Sequence, residues 1–103
     1  MAEQSLLGEH LRVKIVETLV RIEHLPLMSS DEGLAIFGQI CTMAGHCCGH
    51  VAMGRFEQAL KVAETVGRAV PHAFPVGSQR GALEDALEEL IAVLERPQIA
   101  HYH

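Results

Sequence analysis

The side chains with the most evident chemical capacity stand together in one run, Cys41-Thr42-Met43-Ala44-Gly45-His46-Cys47-Cys48-Gly49-His50. If this run is helical, His46 and His50 lie one turn apart and Cys47 and His50 three residues apart. One ion could then meet up to three soft ligands, His46, Cys47 and His50, and copper or zinc would suit them. Structural zinc sites usually join two ligand clusters from different elements, and the chain holds neither a CxxC nor an HExxH. A second cluster would have to come from His10, His24, His72 or the tail residues His101 and His103.

The same residues have a plainer use. Free cysteine behaves as a small hydrophobe and is among the most buried residue types. Cys41, Cys47 and Cys48 therefore serve a packed helix without any ligand role, and a histidine in such a seam is more often hydrogen-bonded than metallated. A nucleophilic thiolate needs a lowered pKa and an oriented base, and a helix interior far from its N-terminus supplies neither. No glycine-rich phosphate loop occurs, and no pair of carboxylates reads as acid and base. The sequence thus predicts no catalysis and no cofactor, with metal ligation by His46, Cys47 and His50 as the alternative.

The helix that carries this run must be placed by its neighbours. From Leu6 to Leu25, Leu7, Leu11, Ile15, Leu19 and Ile22 recur every three or four positions, which marks an amphipathic helix with Glu17 and Arg21 spaced as a surface pair. Pro26 ends it. Ser29 with Glu32 reads as a capping box, so a second helix is expected from there to about Met53. Ile36, Ile40, Met43, Cys47 and His50 form one seam of that helix, and Phe37, Cys41, Ala44, Cys48 and Val51 form a second beside it. The remaining strip is Ala35, Gln39, Thr42, His46, Gly49 and Met53. No charged residue follows Glu32 on any face, so this helix is expected at the centre of the fold or at an interface between chains.

Gly54 marks a turn into a third helix, Arg55 to Val70, with Phe56, Ala59, Leu60, Ala63, Val66 and Val70 on one face. Glu57 with Lys61 and Glu64 with Arg68 are spaced as ion pairs on the other. Pro71 to Gly77 reads as a loop. Ser78 is the expected cap of a fourth helix that buries Leu83, Leu87, Leu90, Ile91 and Leu94 and exposes Glu84, Asp85, Glu88 and Glu89. Pro97 is expected to close it, leaving Ile99 and Tyr102 in a short tail.

Gly54, Phe56, Ala59 and Pro71 fit the second half of a tetratricopeptide repeat at the repeat's own spacing. In its first half, Met43, His46, Cys47 and His50 replace the expected large aromatic, Leu, Gly and Tyr. Met53-Gly54-Arg55-Phe56 with Ala59-Leu60, then Gly81-Ala82-Leu83-Glu84 and a helix ending near Pro97, resemble the small tetratricopeptide-type chaperones of type III secretion needle subunits. The resemblance covers about half the chain. It implies an all-helical cytoplasmic protein that holds an aggregation-prone subunit on an apolar concave face. The Pro71 to Gly77 loop and the scarcity of aromatics depart from that family.

At 103 residues, 49% hydrophobic and 20% charged, residues 1 to 103 read as one all-α domain, either a four-helix bundle or a tetratricopeptide-like helical hairpin array. A net charge of −5 without any basic run argues against nucleic-acid binding. No window holds the roughly 18 apolar residues of a membrane span, and no basic, apolar leader opens the chain. Three cysteines make an odd number on one helix, which fits a reducing, cytoplasmic compartment. The expected function is protein interaction: Gln39, Thr42, His46, Gly49 and Met53 would meet another copy of the chain or a partner helix.

Overall fold

A computed structural model describes the backbone of residues 2–101 and the side-chain surroundings of residues 7–77 and 79–96. Four α-helices run in chain order: α1 (Ala2–Glu23), α2 (Asp31–Ala52), α3 (Phe56–Ala69) and α4 (Ser78–His101). Single 3₁₀ turns, Pro26–Ser29 and Val70–Ala73, join α1 to α2 and α3 to α4.

Each helix packs on two others. α1 lies against α2 and α4, and α3 lies against α2 and α4, so the ring is closed. An open hairpin array would leave α1 and α4 apart, and their contact makes this a four-helix bundle. The molecule measures 43 × 21 × 17 Å, with the helices along its length.

The core is what the apolar spacing predicts. Leu11, Ile15 and Ile22 of α1 meet Ile40, Met43, Cys47 and Val51 of α2, Ala59 and Ala63 of α3, and Leu83, Leu87, Leu90, Ile91 and Leu94 of α4. Ala59, expected to let helices approach, is fully buried, and its carbonyl accepts from the Cys47 thiol at 3.4 Å. Gly54 turns α2 into α3 at φ 74°, a conformation glycine adopts without a Cβ clash. Phe56 packs half-buried at the start of α3.

Several local expectations shift. The cap of α2 is Ser30, whose Oγ accepts from the Gly33 amide at 2.9 Å, whereas the Ser29 hydroxyl donates to the Pro26 carbonyl at 2.7 Å. The 3₁₀ turn consumes Ser29, so the cap moves one residue on and Asp31 and Glu32 fall in the first turn, where the helix dipole favours them. Glu17 does not pair with Arg21. Lys14 takes Glu17 at 3.5 Å, while Arg21 reaches across to Glu89 of α4 at 2.8 Å.

Glu64 and Arg68 do pair, at 3.3 Å. Of the expected Pro71 to Gly77 loop, the first part is the 3₁₀ turn, since Pro71 fits the opening position of such a turn. Nor does Pro97 close α4, which continues to His101. A proline there removes one amide donor in the last turns and leaves the rest of the helical bonding intact. α4 begins at Ser78, but the Ser78 side chain, Ile99 and the tail residues Tyr102 and His103 lie outside what the structure describes.

Candidate functional site

Of the other helices α2 packs on α1 and α3, with the two 3₁₀ turns at its ends, so one side of it turns outward. The expectation of a central helix is therefore corrected. Gly33, Ile40, Met43, Ala44, Cys47 and Val51 point into the bundle, and the opposite half of the helix carries no covering element among the described residues. Its lack of charge does not follow from burial within the chain.

The strip Gln39, Thr42, His46, Gly49 and Met53 is exposed along its whole length. It lies on the flank of α2 away from α1, by the 100° advance of a helix. Thr42 Oγ1 donates back to the Gly38 carbonyl at 3.0 Å, so its hydroxyl is already engaged.

The flank towards α1 is more apolar, and the periodicity of α2 taken alone did not single it out. Here Val13 (54% exposed), Val16 (52%) and Val20 (48%) form an exposed apolar stripe on α1, and Leu34 (58%) is exposed near the start of α2. Glu9, Arg12, Val13, Val16, Glu17 and Cys48 line one open groove between the two helices. Exposed Cys41 lies about two turns nearer the far end, within the electrostatic reach of Glu23. The sequence did hold a signal for this surface: Val13, Val16 and Val20 form a second apolar stripe on α1, outside its core face. That stripe acquires meaning only once α2 is placed beside it.

The thiols differ by position. Burial pushes Cys47 up to about 11, with neighbouring Cys48 acting in the same direction. Cys48 is raised by burial, partly offset by the Arg12 guanidinium, and Cys41 is raised by desolvation and by the Glu23 carboxylate. None of the three is tuned towards a thiolate.

The metal alternative separates in space. Cys47 is buried with its thiol on Met43 Sδ (3.8 Å) and the Ala59 carbonyl, His46 is exposed on the outer flank, and His50 is half-buried between them. One residue along a helix turns the side chain by 100°, which aims His46 and Cys47 in different directions. Among the described residues no group of three His, Cys, Asp or Glu converges on a metal position. His101 and His103, the tail ligands that the alternative invoked, have no described side-chain surroundings.

No described helix is long and apolar enough to cross a membrane. No protein-family model, curated protein or solved structure matches the chain. The likeness to secretion chaperones therefore reduces to what the fold itself states, a small all-helical protein of four helices.

Proposed function

We propose that this domain is a non-catalytic protein-interaction module, of chaperone or adaptor type, which docks a helix of another chain on the outward side of α2. One observation carries the reading. A 22-residue helix bears no Asp, Glu, Lys or Arg after Glu32, yet half of it faces solvent beside three exposed valines of α1. Solvent-facing helices ordinarily carry charge, and an apolar patch extending over two helices favours a partner over water. The groove and the Gln39 to Met53 strip together offer small and flexible side chains to an apolar helix.

The reading is tested by placing a charge on the surface without touching the core. Val16→Glu and Leu34→Glu should leave the circular dichroism spectrum and thermal midpoint close to wild type. They should abolish stable association with any other chain, including a differently tagged copy of the protein. Association unchanged in both folded variants would overturn the reading.

A further inference from the structure

We propose that His72 and Arg80 form an acid-released tie: while the imidazole is neutral the pair fastens the Val70–Ala73 turn to α4, and protonation of His72 lets the turn go. Arg80 Nη2 lies 3.0 Å from His72 Nδ1. A guanidinium has only donors and is never deprotonated in a protein, so the ring nitrogen must be the acceptor. The contact therefore admits one form of His72, neutral and with its hydrogen on Nε2. A proton on Nδ1 occupies the accepting lone pair and sets two cations against each other.

The tie holds more than one side chain. Through Nη1 the same guanidinium donates to the Phe74 carbonyl at 3.2 Å, and the Phe74 amide closes the turn on the Pro71 carbonyl at 3.1 Å. The Arg80 side chain is only 14% exposed. Its Nε is buried and has no hydrogen bond, since Glu84 Oε1 at 3.5 Å makes an ion pair without the alignment for one. Arg80 thus grips the turn by two bonds, and protonation of His72 removes one of them. Beyond Phe74 the chain runs through Pro75, Val76 and Gly77, all exposed, so no further burial secures the segment before α4 begins.

The surroundings offer the charged ring a second position. His72 lines a cavity between α3 and α4 together with Arg68 of α3 and Glu84, Asp85 and Glu88 of α4. Arg68 is engaged by Glu64 at 3.3 Å, whereas Asp85 and Glu88 have no ion-pair partner among the described residues. α2 also touches the turn, but its carboxylates Asp31 and Glu32 and its histidines His46 and His50 do not line the cavity. The imidazole stands between a cation that binds it only when neutral and carboxylates that attract it only when charged. The closed tie excludes the proton and the open form takes it up, so opening grows as pH falls.

Hydrogen exchange followed by NMR on the full chain tests the tie. After correction for the intrinsic rate, exchange of the Phe74 amide should quicken about three- to tenfold from about pH 7.5 to about pH 5.5, a range in which imidazole ordinarily titrates. The amides of Leu87 and Leu90, in the core of α4, should keep their protection, which separates local release from unfolding. His72→Asn offers Arg80 an acceptor that does not titrate and should hold the Phe74 rate flat over the same range. Arg80→Gln, without the guanidinium, should exchange at the faster rate at both ends of it.

Nitrogen shifts of the His72 ring should show a bare Nδ1 at about pH 7.5. A wild-type rate that does not change with pH overturns the tie. So does a His72→Asn variant that quickens as much as wild type, or a ring that carries its neutral-pH hydrogen on Nδ1. If Arg80→Gln fails to fold, the comparison of wild type with His72→Asn decides alone.

Discussion

Cys47 shows how a reactive residue type becomes a structural one. Its thiol is enclosed by Met43, Ala59 and the helix core, and burial holds the proton well above the ordinary value of 9.0. The unfolded chain releases this proton near pH 9 while the folded chain retains it to about 11. Native stability from this group is thus fully present below pH 9 and falls as pH rises through that window, with a limiting slope of about 1.4 kcal/mol per pH unit. Urea titrations at stepped pH should show this loss in the wild type and a smaller one in Cys47→Ala, where only Cys41 and Cys48 are left to contribute in the same direction.

Glycines divide in the same residue-by-residue way. A Cβ at Gly33 would press on the Leu27 carbonyl and lie 2.9 Å from Met28 Cα, both backbone atoms that cannot yield. Gly33→Ala should cost about 2 kcal/mol or more by forcing the 3₁₀ turn off α2. At Gly67, an added Cβ would sit at 3.6 Å from Ile91 and 3.7 Å from Leu87, an ordinary contact. Gly67→Ala should stabilise by about 0.5–1 kcal/mol through helix propensity. Denaturant midpoints of the two variants should move in opposite directions.

At the scale of elements, the start of α2 depends on one hydroxyl. Ser30 accepts from Gly33, and no carboxylate at the third position reciprocates as a capping box would require. Ser30→Ala should therefore cost about 1 kcal/mol, whereas Ser29→Ala should have little effect on α2. Chemical denaturation of both variants distinguishes the two serines. Helix existence and core faces were legible because they depend on spacing: all five expected leucine and isoleucine positions of α4 are buried. The cap and the partner of Arg21 were not legible. Each depends on where a turn or a neighbouring helix lies, and spacing within one element does not contain that.

The whole molecule is a closed ring, and closure couples helices that do not lie side by side. Ile15 of α1 is fully buried, and α1 sits diagonally from α3. Ile15→Ala should destabilise by about 2–5 kcal/mol and lower hydrogen-exchange protection in α3 as well as α1, in one cooperative transition. Loss confined to α1 would instead describe a hairpin stack with separable units.

By itself the sequence determined four helices, the residues of their core faces and the absence of charge along α2 after Glu32, because periodicity and composition are local properties. The tertiary structure alone decided the rest. It made a bundle by placing α1 on α4, and it set the exposed valine stripe of α1 beside the bare side of α2. Those relations join residues far apart in the chain, and the cost of an exposed apolar surface depends on which elements are left to cover it.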